Sequence, residues 1–156
     1  MSADVKCKCI LVGSTMTGKT CIIQRLITNT FNGDAISSMI SSNIDYNLVI
    51  QDLSVKMTIW DTVGQEKYAD MNKTFYQGSD IAILTYSIIQ RQSFEDLKTR
   101  WLPQIRDNTK PDIVLCVAGN KSDSYLEEEV KESEGREYTK EIGASFNVLD
   151  NIDKCS

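Results

Sequence analysis

The chain has no histidine and only two prolines, and no apolar run approaches the ~18 residues that a membrane-crossing helix needs. Without histidine, the five cysteines (Cys7, Cys9, Cys21, Cys116 and Cys155) lack the partners that a mixed zinc site would draw on. Their odd number and irregular spacing do not describe a disulfide framework either. Reduced thiols buried in a core are the expectation, with Cys7 and Cys9 on one face of a strand. Positive charge is scarce as well. Seventeen basic residues face 22 acidic ones, for a net charge of −5, and no Lys/Arg-rich stripe is present. That argues against nucleic acid as a partner. Residues 1–8 hold no charged-then-apolar leader, and the second residue is Ser2 rather than the glycine that myristoylation requires. Repeats, linkers and low-complexity stretches are missing. A single domain over residues 1–156 is expected, cytoplasmic, with any membrane association peripheral.

Against those absences stands one dense stretch. Gly13 to Thr20 reads Gly-Ser-Thr-Met-Thr-Gly-Lys-Thr: a glycine, four free positions, then Gly-Lys-Thr. It follows the apolar run Ile10-Leu11-Val12 and opens a helix-compatible run, the strand–loop–helix setting of a phosphate-binding P-loop. Successive backbone N–H groups in such a loop converge on an anion, and the following helix adds its positive end. Lys19 supplies a point charge for terminal phosphates, and the Thr20 hydroxyl is a Mg²⁺ ligand.

Hydrophobic patterning divides the remainder into alternating elements. Strands are expected at Val5 to Val12, Ile44 to Ile50, Leu53 to Trp60, Ile81 to Tyr86, Ile113 to Ala118 and Ser145 to Leu149. The second and third form an antiparallel hairpin, although Gln51-Asp52 is not a favoured turn pair. Helices are expected at Lys19 to Ile27, Tyr68 to Gln77, Ser93 to Asp107 and Glu128 to Ile142. Ser93 and Asp96 resemble a capping box on the third of these, and Pro103 should kink it. The fourth is expected to break near Gly135. The fold class is α/β, a mostly parallel sheet with one antiparallel edge strand and helices on both faces.

Ligands bind such sheets beyond the carboxyl ends of the strands, and two further clusters fall there. Asp61 ends the third strand, placed for Mg²⁺. Gly64 lets a backbone N–H approach a γ-phosphate, and Gln65 can hydrogen-bond an attacking water. Asn120-Lys121-Ser122-Asp123 follows the fifth strand. A buried Asp123 can accept two parallel hydrogen bonds from N1–H and the exocyclic amine of guanine, a pair that adenine cannot offer. Lys121 can lay its stem over the base. Phe31, alone in a polar loop, either covers the base or anchors the loop.

Together with Trp60 to Glu66, Phe75-Tyr76-Gln77-Gly78, Ser93-Phe94-Glu95 and Asn120 to Asp123, the P-loop resembles the small GTPases of the Ras superfamily, nearest the Rab branch. The resemblance implies binding of GTP and GDP with Mg²⁺, slow hydrolysis, and exchange-factor, GTPase-activating and effector proteins as partners. It implies nucleotide contacts from Gly13, Ser14, Thr15, Met16, Thr17, Gly18, Lys19, Thr20, Cys21, Phe31, Ser38, Gly64, Asn120, Lys121, Asp123 and Asn151. Thr20, Ser38 and Asp61 would serve Mg²⁺, and Gln65 and Lys19 catalysis.

The chain also departs from the family. Ser38 stands for the switch threonine, Ile40 for a glycine, Asn43 for an aromatic and Val63 for alanine. Met16 replaces a small P-loop residue and is expected to crowd a γ-phosphate. The Ser-Ala-Lys loop that meets guanine is replaced by Asn147 to Ile152, where Asn151 could still supply an N–H beside the charge of Asp150. The family's last helix and its prenylated tail have no counterpart in residues 1–156, which implies open apolar strand surface and marginal stability. Two functions follow from these residues: a GTP-hydrolysing switch, or a degenerate nucleotide-binding or nucleotide-free interaction module with negligible turnover.

Overall fold

Strands whose apolar residues run on both faces must be covered on both faces, and that requirement organises this fold. The computed structural model describes residues 4–28, 43–61 and 73–148. Strand β1 (Asp4–Val12) runs into the P-loop and helix α1 (Lys19–Thr28). A hairpin follows, β2 (Asn43–Ile50) and β3 (Leu53–Asp61). Next come α2 (Lys73–Tyr76), β4 (Ile81–Ser87), and a continuous helical run made of α3 (Arg91–Asp96), a wide π turn (Leu97–Trp101) and α4 (Leu102–Asn108). Strand β5 (Val114–Asn120), a 3₁₀ segment (Ser122–Glu127), α5 (Glu132–Ile142) and β6 (Ser145–Val148) complete the described chain.

The six strands lie in the order β2-β3-β1-β4-β5-β6. All neighbours are parallel except β2 with β3. Gln51 and Asp52 turn the hairpin with φ of 49° and 67°, the double left-handed geometry of a two-residue primed turn achieved without glycine. One sheet face carries Ile10, Leu84, Tyr86 and Val117 against Phe75, Phe94, Leu97, Trp101, Ile105 and Tyr138 of the helices. The other carries Cys9, Leu11 and Ile59 against Ile22 and Ile23 of α1. Around that second cluster Val5, Leu53 and Val114 are exposed. The open apolar surface expected from the sequence is therefore present among the described residues.

Several local expectations are corrected. The third helix begins at Arg91, so Ser93 is inside it and does not cap it. The Ser93 hydroxyl instead donates to Gln90 O (2.7 Å) and accepts from Ser87 N–H (2.9 Å). Pro103 is met by a change of helical type: Leu102 N–H reaches back five residues to the Leu97 carbonyl, widening the turn just ahead of the ring. The last helix starts at Glu132 and passes Gly135 unbroken. Gly135 is there because a Cβ would lie 2.5 Å from Tyr86 Oη and 2.6 Å from Phe146. Residues 122–127 form the separate 3₁₀ segment. Arg91 ties the two helix starts together, donating to Glu134 at 2.7 and 3.0 Å and holding that carboxyl down at about 2. Of the four described thiols, only Cys9 is buried. Cys7, Cys21 and Cys116 are half-buried and free, and Cys155 lies outside the described residues.

Candidate functional site

The parallel register brings the ends of β1, β3, β4 and β5 to one edge, with Leu11 opposite Asp61, Val12 opposite Leu84 and Ser87 opposite Asn120. The P-loop starts there under a hard constraint. Gly13 has φ of +151°, and a Cβ on it would sit 2.2 Å from the carbonyl oxygen of Thr85. Only glycine lets the loop press this closely on β4.

Within the loop the polar groups are already placed. Lys19 is 4% exposed, and its ammonium donates to Gly13 O (2.8 Å) and Ser14 O (2.9 Å). Two carbonyls thus hold the charge at the loop's centre. Buried Thr17 donates its hydroxyl to the same Ser14 carbonyl at 2.9 Å. The Thr20 hydroxyl donates to Asp61 Oδ2 at 2.8 Å, so two hard oxygen groups from α1 and β3 meet. Asn120, fully buried at the end of β5, donates its amide to Thr17 O at 2.7 Å and so locks the second cluster onto the P-loop.

The carboxyl ends of β4 and β5 also carry a polar deficit. Thr85 Oγ1, Ser87 Oγ and Asn120 Oδ1 are buried without a hydrogen-bond partner among the described residues. A polar ligand at this edge fits such a deficit. Lys121 takes a left-handed φ of 65° and, half-buried, turns the chain out of β5. Burial pushes the Cys21 thiol up, Lys121 opposes that shift, and Asp61 adds to it, so all three groups share one electrostatic neighbourhood.

One sequence expectation changes. Asp123 is exposed rather than buried, and among the described residues it accepts from Ser124 Oγ at 3.3 Å. Met16 is 77% exposed at a φ of 64°. The left-handed backbone at this non-glycine residue costs about 1–2 kcal/mol. Gly13, Ser14, Thr17, Gly18, Lys19, Thr20, Cys21, Asp61, Asn120 and Lys121 fall at one edge with Thr15. Phe31, Ser38, Gly64, Gln65 and Asn151 lie outside the described residues, as do Ile40, Val63 and Asp150.

Sequence reasoning missed one connection. Ser14 Oγ donates to Asp96 Oδ2 at 2.6 Å, which fastens the P-loop to the helical run. From the sequence Asp96 reads as a capping-box partner of Ser93, and nothing in that pattern points to the P-loop.

A profile of the Ras family matches residues 8–150, and these include every described site residue. The chain belongs to the Ras family. It is 36% identical over 136 residues to the ras-related protein Rab-5B of Dictyostelium discoideum, covering 87% of this chain and 62% of that protein. It is likewise 36% identical over 143 residues to RABA2b of Arabidopsis thaliana, covering 92% and 66%. With Rab-26 of Rattus norvegicus it shares 34% over 146 residues, covering 92% and 56%. This Ras-family, Rab-like chain therefore spans less than two thirds of the length of each. The six-stranded sheet with one antiparallel strand agrees with the family's α/β architecture. No helix among the described residues is long and apolar enough to cross a membrane.

Proposed function

We propose that this protein is a guanine-nucleotide-dependent switch that hydrolyses GTP to GDP, in vesicle trafficking or related signalling, and that residues 1–156 act as one domain. The observation that carries it is the buried Lys19 ammonium, held by two P-loop carbonyls beside the Thr20–Asp61 pair. A buried ammonium set by backbone carbonyls at the centre of a P-loop is placed to meet phosphate oxygens. The Rab relatives support the same reading.

In this reading the P-loop amides and Lys19 bind the phosphates. Thr20 and Asp61, with Ser38, hold Mg²⁺. The ion supplies neutralisation of phosphate charge when bound. Asn120, Lys121 and Asp123 take the base, joined by Phe31 and Asn151, and Gln65 orients the attacking water with Gly64 at the γ-phosphate. Exchange factors, GTPase-activating proteins and effectors are the partners, and the cytoplasm, with peripheral membrane contact, is the site of action.

Because Thr20 and Asp61 already touch, metal removal has a defined consequence. Excess chelator is expected to speed GDP release by about tenfold or more, read with a fluorescent nucleotide. An unchanged release rate would contradict the placement of Thr20 at the metal.

Turnover should be slow. Neither the P-loop nor residues 31–45 contain an arginine, so transition-state charge rests on Lys19, Mg²⁺ and loop amides. Single-turnover hydrolysis is expected at or below the order of 10⁻⁴ s⁻¹ at 25 °C, and Gln65→Leu should lower it further. Phosphate release faster than about 10⁻² s⁻¹ by the protein alone would mean that a catalytic group has been missed.

A further inference from the structure

The P-loop is gripped from outside by a helix that changes type at the point of contact. In an α-helix, residue i+5 lies about 140° around the axis from residue i, so the two cannot reach one target. Here Asp96 and Trp101 are five apart, and both reach Ser14. Asp96 Oδ2 accepts from Ser14 Oγ at 2.6 Å, and buried Trp101 Nε1 donates to the same oxygen at 3.5 Å. The π turn makes this possible. Its five-residue hydrogen bond, Leu102 N–H to Leu97 O, brings position i+5 back over position i. Pro103 makes the turn cheaper. Lacking an N–H, it could not have donated to the Thr99 carbonyl in an α-helical ladder anyway.

On the far side, the Ser14 carbonyl accepts from Lys19 Nζ and Thr17 Oγ1. Asp96 Oδ1 is itself fixed by Gln92 Nε2 at 2.8 Å. A chain of hydrogen bonds thus runs from the surface of the helical run through Asp96 and Ser14 to the P-loop lysine.

We propose that Asp96 and Trp101, aligned by the π turn, are positioning residues that clamp Ser14 and thereby hold Lys19 in place for the phosphates. This rests on the reading of the site as a nucleotide pocket, and it adds a control point on nucleotide retention that lies on the helix and outside the nucleotide motifs. Neither residue touches nucleotide; both act through Ser14.

The test combines nucleotide release with amide hydrogen exchange on the full chain. Asp96→Ala is expected to speed GDP dissociation about tenfold, the loss of one charge-assisted hydrogen bond. Asp96→Asn, which still accepts from Ser14, should recover to within about threefold of the parent. Ser14→Ala should match Asp96→Ala, and the double variant should be no worse than either single one, because both break the same link. A general weakening of the helix would instead give additive effects and no rescue by asparagine. Exchange in residues 14–20 should rise in Asp96→Ala while that in residues 114–120 stays unchanged, a readout that needs no nucleotide. If the parent protein binds no guanine nucleotide, the functional reading falls and exchange alone decides the clamp. Dissociation from Asp96→Ala within twofold of the parent, additive double variants, or unchanged exchange in residues 14–20 of Asp96→Ala would each overturn it.

Discussion

Guanine nucleotides are expected to bind at least about a thousandfold more tightly than adenine nucleotides. The reason is the carboxylate of Asp123 at the start of the 3₁₀ segment. In the structure it is exposed, and an exposed carboxylate carries no desolvation cost. A docked base takes it out of water. Guanine repays the loss with two donors, N1–H and the exocyclic amine. Adenine presents an acceptor at N1 and leaves the charge unpaired, a penalty larger than that for a neutral group. Sites built around such a pair discriminate by roughly 10⁴ or more when sealed, and the exposure of Asp123 is why the expectation here is set lower. Displacement of a fluorescent GDP by GTP and by ATP measures the ratio. Equal competition would remove Asp123 from the base site. Asp123→Asn should shift preference toward xanthine nucleotides, whose 2-oxo group accepts where guanine donates.

Lys19→Ala is expected to weaken GDP binding by at least about a hundredfold. The ammonium is buried and pre-positioned by the Gly13 and Ser14 carbonyls, so a phosphate meets it without reorganisation. Coulomb attraction in a partly buried loop is several-fold stronger than in water. Two losses combine in the variant: the charge itself, and the tethers that keep the loop wrapped around it. Lys19→Arg separates them. It keeps the charge but cannot fit the same pair of carbonyls, and it should fall between parent and alanine. Titration of labelled GDP against the three proteins checks the order. Equal affinities would show that the loop amides alone hold the phosphates.

Much of this architecture is legible in the chain because each element states its own environment. The doubly apolar runs of β4 and β5 could only be central strands, and the clean alternation of β3 marks one arm of the hairpin. The P-loop was readable because glycine at position 13 answers a local backbone demand, now visible as the Thr85 carbonyl in its way. What escaped depends on tertiary context. Ser93 looks like a cap from its neighbours, but its hydroxyl is drawn to Ser87 N–H on the preceding strand. Gly135 looks like a helix breaker, yet it is the gap that admits Tyr86 and Phe146. Pro103 promised a kink and delivered a π turn, and with it the Asp96–Ser14 link that no local pattern encodes. The burial expected of Asp123 was an inference from its role, and the structure leaves that carboxylate exposed.

The most direct test of the switch reading is to denature the freshly purified protein and identify what nucleotide it releases. The account predicts near-stoichiometric GDP or GTP, and a melting temperature raised by several degrees when excess GDP and Mg²⁺ are added to the native protein. A protein that releases no guanine nucleotide, and whose melting curve is indifferent to GDP with Mg²⁺, would contradict it.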